Sequence, residues 1–143
     1  MDGAGGVLIG LGHDVQALRE LECVEGLWEP GVFFTEEETA RSQRSRVPLE
    51  SLAGCFSSKE ALFKALPPVE GWFWTDAEVL HDERHAPRFR FHGALREHLE
   101  RQDWEARLSI SHSGGLVSTV VLVLARSSLQ PLECPSCSSK NPT

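Results

Sequence analysis

Apolar positions recur along this chain in two rhythms, one helical and one alternating. From residue 52 to residue 66, Leu52, Phe56, Phe63 and Leu66 fall at helical spacing, which predicts one half-buried helix with these four side chains facing the core. Pro67-Pro68 stops it, because proline has no N–H to continue the ladder. A strand is predicted over residues 7–15, with Gly10, Gly12 and Asp14 on one side and Val7, Ile9, Leu11 and Val15 on the other. A face so poor in side chains leaves room for a ligand or another backbone. Residues 16–25 read as a short amphipathic helix with Leu18 and Leu21 inward, followed by Trp28 and Phe33-Phe34 packing on the core.

Thr35-Glu36-Glu37-Glu38 has the form of a capping box with an acidic first turn, so Thr35 and Glu38 read as structural. The helix that follows carries Arg41, Arg44 and Arg46. Trp72-Phe73-Trp74 opens a β region, with strands over 77–81 and 88–92. A helix over 93–102 buries Leu95 and Leu99. A strand over 108–113 sets Leu108, Ile110 and His112 on one face, and Gly114-Gly115 turns the chain into a buried valine-rich strand over 117–125.

With 143 residues, 41% hydrophobic and 24% charged, the chain has the make-up of one soluble globular domain. The expected organisation is a disordered lead-in over 1–6, a single domain over 7–125 and a disordered Ser-, Pro- and Cys-rich tail over 126–143. No window has the apolar length of a membrane span, and no signal-peptide pattern opens the chain, so the cytoplasm is the expected compartment. A net charge of -7 argues against general binding to nucleic acid or an anionic membrane surface. Four cysteines in such a chain read as reduced thiols. Cys134-Pro135-Ser136-Cys137 has half the spacing of a zinc site, and no second pair stands at matching spacing.

The candidate chemistry gathers on the central helix. Lys59 interrupts its apolar stripe, so its ammonium either snorkels out or is kept buried by an anionic partner. Glu60 and Lys64 lie one turn apart beside it. Two amines and a carboxylate on one patch suit a phosphate with a divalent metal; they equally suit a surface ion pair beside a snorkelling lysine, and periodicity alone favours that plainer reading. The Arg41, Arg44, Arg46 cluster is a solvated face or a docking surface for an acidic partner. His81, Asp82 and His85 fall in a turn, where their spacing does not suit a metal. The glycines near the N-terminus lack the third glycine of a dinucleotide fingerprint, and no G-x-S-x-G promotes Ser111 or Ser113 to a nucleophile.

In order, Gly10-x-Gly12-x-Asp14, then Phe34-Thr35-x-x-Glu38, then Leu52-Ala53-Gly54-x-Phe56-x-x-Lys59-Glu60-Ala61-x-x-Lys64-Ala65-Leu66, then Ser109-x-Ser111-His112-Ser113-Gly114 resembles the holo-acyl-carrier-protein synthase family of 4'-phosphopantetheinyl transferases. The resemblance runs from about Val7 to Ala125. It implies a small α+β fold, an antiparallel sheet wrapped around a long helix, assembled as a homotrimer with active sites between subunits. It also implies the reaction: a serine of an apo carrier protein attacks the phosphorus of coenzyme A that bears the pantetheine arm, and 3',5'-ADP leaves.

Such a transfer calls for charge neutralisation and positioning more than covalent help. Mg2+ is held by one or two carboxylates plus substrate phosphate oxygens, and Asp14 and Glu60 are the pair assigned to it. Glu60, directly or through a metal-bound water, is also the candidate base for the incoming serine. Lys64 is assigned to the pyrophosphate, and Lys59 to a coenzyme A phosphate or the attacking oxygen. By resemblance Ser111 and His112 line the coenzyme A site. The chain departs from the family pattern at Ala17, where a carboxylate is usual, and at Glu20 and Cys55, where arginines are common. Carriers of this class are acidic, so Arg19 and the Arg41, Arg44, Arg46 cluster are the expected docking surface. Carriers of fatty acid, polyketide and peptide synthesis all fit. Two alternatives are a non-catalytic module that binds coenzyme A or a carrier, and a different phosphate- or coenzyme A-handling enzyme on the same scaffold.

Overall fold

The computed structural model describes residues 7–126. Expectations for residues 1–6 and 127–143, Cys134 and Cys137 among them, lie outside the described residues. The elements run β1 (Leu8–Ala17), α1 (Leu18–Leu21), α2 (Glu36–Gln43), α3 (Pro48–Ala65), β2 (Ala77–His81), β3 (Pro87–Phe91), α4 (Gly93–Gln102), β4 (Trp104–Ser113) and β5 (Leu116–Ala125). The mixture is α+β with antiparallel pairing in both sheets: a three-stranded sheet in the order β1-β5-β4 and a two-stranded sheet of β2 and β3.

Helix α3 begins four residues before the predicted Leu52, because Pro48 at its first turn lacks an N–H that would have had no partner there. It ends at Ala65, with the Leu66 N–H still donating to the Leu62 carbonyl at 3.0 Å. It packs against β1, β5, β4 and β2 as well as α1 and α2. Its C-terminal half, through Ala61, Leu62 and Ala65, meets Leu95, Leu99, Val121 and Val123; its N-terminal half, through Leu52, Ala53 and Cys55, meets Leu21, Phe34, Val79 and Val117. Burial round most of its circumference breaks the predicted single stripe. Phe63 is 62% exposed, and Phe56 is half-buried in a stack on Trp74.

The glycine face of β1 is filled by another backbone, that of α3. A Cβ on Gly12 would stand 1.7 Å from the Ala61 carbonyl oxygen, and one on Gly10 would stand 1.7 Å from that of Ala65. Small residues on both elements thus bring Asp14 down onto the helix. Strand β1 runs on to Ala17, and the helix expected from residue 16 shrinks to the single turn α1. Gln16 and Ala17 find partners in Val117 and Leu116, and this pairing outweighs the helical pattern. A bulge between Leu8 and Gly10 turns Ile9 onto the core, away from the face it was expected to share with Leu11 and Val15.

Strand β5 is central in its sheet but buried on one face only. Val117, Thr119, Val121 and Val123 point at α3, while Val120, together with Leu11 and Val15 of β1, is exposed. Trp74–Asp76 forms a 3-10 turn, so the second sheet starts at Ala77 and not at the Trp72-Phe73-Trp74 run. Helix α4 buries Leu95 and Leu99 as expected. Helix α2 stops at Gln43, so Arg44 caps it and Arg46 lies beyond it.

Candidate active site

Asp14 projects from the inner face of β1, where Thr119 is its register partner on β5. Its Oδ1 lies 3.1 Å from Lys64 Nζ, which also donates to the His13 carbonyl at 3.0 Å. Its Oδ2 accepts from Ser57 Oγ at 2.7 Å. The Lys64 side chain is half exposed, and that of Asp14 is only 13% exposed. Lys64 is therefore paired with Asp14 and not with Glu60, as the simple one-turn ion pair would have it. Glu60, partly buried one turn earlier on α3, has its pKa raised above 4.5 by burial and then by the negative charge of Asp14, against a smaller opposing effect of Lys64. Two mutually repelling carboxylates and one lysine thus share a point on the α3–β1 seam.

Lys59 is elsewhere. Its ammonium is wholly buried, 2.8 Å from Glu38 Oε1 and 2.9 Å from the Trp74 carbonyl. Of the two outcomes open to a lysine in an apolar stripe, the buried ion pair is the one adopted. The expected reach of Lys59 to a coenzyme A phosphate or an attacking oxygen is not seen here, its Nζ being spent on the Glu38 and Trp74 acceptors. Glu38 completes the capping box with Thr35 and also accepts from the Val79 N–H at 3.0 Å.

Ser111 and His112 are exposed near the far end of β4. Their register partners on β5 are Ser118 and Val117, so Ser111 points to the outer face and His112 to the inner. His112 Nδ1 lies 3.1 Å from Glu50 Oε1 on the first turn of α3. Glu50 and Glu60 are separated by about 15 Å along the helix. Within this chain, then, Asp14, Glu60 and Lys64 converge while Ser111 and His112 stand apart.

Arg41 also departs from expectation. It turns inward, donating to the Val79 carbonyl at 2.8 Å and to Cys55 Sγ at 3.2 Å. Cys55, in the position where the resemblance leads one to expect arginine, is buried, and burial pushes its thiol pKa up to about 12. Glu20 accepts from the Gln16 amide at 3.1 Å, and Ala17 ends β1. The Asp82 carboxylate closes its own turn by accepting from the Arg84 and Ala86 N–H groups. Among the described residues no three His, Cys, Asp or Glu side chains gather for a metal ion.

Two residues of the site escaped sequence reasoning. Ser57 and Thr119 are wholly buried and bonded to each other, and Ser57 also donates to Asp14. Their signal was a polar residue at a core position, Ser57 within the apolar helix and Thr119 within the valine run.

The model of the 4'-phosphopantetheinyl transferase superfamily matches residues 10–121, which include Asp14, Ser57, Glu60, Lys64 and Thr119. The chain belongs to that superfamily. The transferase is 40% identical over 127 residues to the holo-[acyl-carrier-protein] synthase of Leifsonia xyli subsp. xyli, covering 85% of this chain and all of that one. It is 37% identical over 122 residues to the holo-[acyl-carrier-protein] synthase of Streptomyces avermitilis, covering 80% and 96%. Among solved structures, the ACPS–CoA complex of Chronobacterium ammoniagenes superimposes on the transferase with a TM-score of 0.69 at 27% identity, over 81% of this chain and 96% of that one. No helix among the transferase's described residues is long and apolar enough to cross a membrane.

Proposed function

We infer that this chain is a holo-[acyl-carrier-protein] synthase. It transfers 4'-phosphopantetheine from coenzyme A to a serine hydroxyl of an apo acyl carrier protein and releases 3',5'-ADP. The observation that carries this reading is the meeting of Asp14, Glu60 and Lys64 on the α3–β1 seam of a chain in this superfamily.

The three side chains divide the work by their chemistry. Glu60 takes the proton of the incoming serine as its oxygen bonds to phosphorus and the bond from phosphorus to the 3',5'-ADP oxygen breaks. A raised pKa brings this carboxylate closer to the working pH, where a general base is most effective. Lys64, half exposed, exchanges Asp14 for the pyrophosphate oxygens and offsets the charge carried by the leaving group. Asp14 and Glu60 are oxygen donors of the kind a hard cation takes, and a cation held by both would offset their mutual repulsion. They would hold Mg2+, which when bound supplies further neutralisation at the pyrophosphate.

The position of Ser111 and His112, with His112 beside Glu50 and away from Glu60, fits their supply to this site by a neighbouring copy. On that reading the chain assembles as a homotrimer with active sites between subunits, the sheet wrapped around the long helix. The exposed apolar residues Leu11, Val15 and Val120 on the outer face of β1 and β5 are the surface for it. For an acidic carrier, the docking surface reduces to Arg19, Arg44 and Arg46, Arg41 being engaged inside. The cytoplasm is retained as the proposed compartment.

Intact-protein mass spectrometry of an apo acyl carrier protein with this chain, coenzyme A and Mg2+ tests the activity. The expected result is a gain of one phosphopantetheine, abolished by Glu60→Ala. Coenzyme A binding with no gain on any carrier type would instead identify a non-catalytic binding module.

A further inference from the structure

Asp14 divides its two oxygens between unlike partners. Oδ1 faces the Lys64 ammonium, and Oδ2 takes the Ser57 hydroxyl at 2.7 Å. Ser57 Oγ in turn lies 2.9 Å from Thr119 Oγ1, which also contacts the Ser57 carbonyl at 2.9 Å. Proton accounting sets the direction of this chain. An ionised carboxylate only accepts, so the single hydroxyl hydrogen of Ser57 goes to Asp14. The hydrogen of Thr119 is then left for the two Ser57 oxygens, and it fixes the rotamer from which Ser57 donates.

Both hydroxyls are wholly buried. A buried hydroxyl is costly unless bonded, and among the described residues these two bond to each other, to the Ser57 carbonyl and to Asp14. Helix packing does not require them, since alanine at position 57 would suit an interior helical site better. The three groups are also drawn from the three elements that meet at the site: Asp14 from β1, Ser57 from α3 and Thr119 from β5.

We propose that Ser57, locked by Thr119, is a positioning residue for Asp14, holding its carboxylate so that Oδ1 alone is turned to the cation beside Glu60. Here that cation is Lys64; with metal bound, Asp14 and Glu60 would hold Mg2+ in its place. The proposal rests on the reading of Asp14 and Glu60 as the metal pair. Partners that orient a metal-binding carboxylate are worth about 10- to 100-fold in metal affinity or activity when removed.

Binding of Mn2+ alone, followed by electron paramagnetic resonance, tests it on the full chain as unaltered protein and as Ser57→Ala, Thr119→Val and Asp14→Asn. Ser57→Ala is expected to bind Mn2+ about tenfold or more weakly, with Thr119→Val weakened in the same direction to a smaller extent. In turnover, both variants raise the Mg2+ concentration for half-activity, and kcat at saturating Mg2+ and KM for carrier stay near those of the unaltered protein. Mn2+ affinities within twofold of the unaltered protein in both variants overturn the proposal, even if Asp14→Asn loses binding. Undiminished binding by Asp14→Asn overturns the metal pair itself, a separate failure. If Ser57→Ala melts at assay temperature, the near-isosteric Thr119→Val alone decides.

Discussion

Lys59 Nζ lies 2.8 Å from Glu38 Oε1, and both side chains are wholly shut off from solvent. Each charge has further partners: the Trp74 carbonyl for the ammonium, the Thr35 and Val79 N–H groups for the carboxylate. The Phe34 ring centroid also stands 5.6 Å from the ammonium. One ion pair therefore ties α2, α3, β2 and the Trp74–Asp76 turn together. Removing one partner strands the other charge in the interior, so Lys59→Met is expected to lower the unfolding free energy by about 3–5 kcal/mol in urea titrations. Pairing it with Glu38→Gln should recover part of the loss. Activity per folded molecule should stay close to that of the unaltered protein; a well-folded Lys59→Met with selectively weakened coenzyme A binding would return Lys59 to the site.

The fit of β1 on α3 leaves no space for a methyl group at Gly12, where a Cβ would stand 1.7 Å from the Ala61 carbonyl oxygen. Neither backbone can yield without moving a strand or a helix. Gly12→Ala is expected to cost at least about 1–3 kcal/mol of stability and to part Asp14 from Ser57 and Lys64. Thermal melting reads the first effect, and loss of transferase activity in the fraction that remains folded reads the second.

Glu60 links activity and stability to pH with opposite signs. Its pKa is raised above 4.5 in the folded state, by burial first and then by Asp14. Between 4.5 and the raised value the folded protein binds more protons than the unfolded chain, so stability contributed at this residue falls as pH rises through that window. Glu60→Gln removes the buried charge and is expected to be more stable than the unaltered protein at neutral pH, with the advantage vanishing below pH 4.5. The same change should lower kcat by at least about 100-fold, as loss of a general base does. In the unaltered protein the acidic limb of kcat/KM should lie above pH 4.5.

Arginines that look alike in sequence should behave differently when reversed. Arg44 and Arg46 are exposed, whereas Arg41 donates to Val79 and Cys55. Arg44→Glu with Arg46→Glu is expected to raise KM for an acidic carrier and leave KM for coenzyme A and the melting temperature in place. Arg41→Glu should instead lower the melting temperature. An unchanged carrier KM in the double reversal would remove that surface from the docking proposal.

The local rhythm of the chain was sufficient for β2, β3, α4, the turn between β4 and β5 and the capping box at Thr35, because each rests on residues within one turn or one strand of each other; β4 itself starts at Trp104, four residues before the predicted Leu108. Order along the chain also singled out Asp14, Glu60 and Lys64. Tertiary structure alone decided what those residues touch. Lys64 found Asp14, fifty residues away, and Lys59 went inside because Glu38 stood there to receive it. Phe63 was left outside because the strands and helices packed around α3 leave its side uncovered. Strand β1 displaced a predicted helical turn because β5 offered Gln16 and Ala17 partners. Ser57 and Thr119 looked like minor polar breaks in apolar runs until α3 and β5 brought them under Asp14. Periodicity reports which face of an element is apolar; the partner that meets that face is set by packing among elements far apart in the chain, and a polar side chain acquires its role only from that partner.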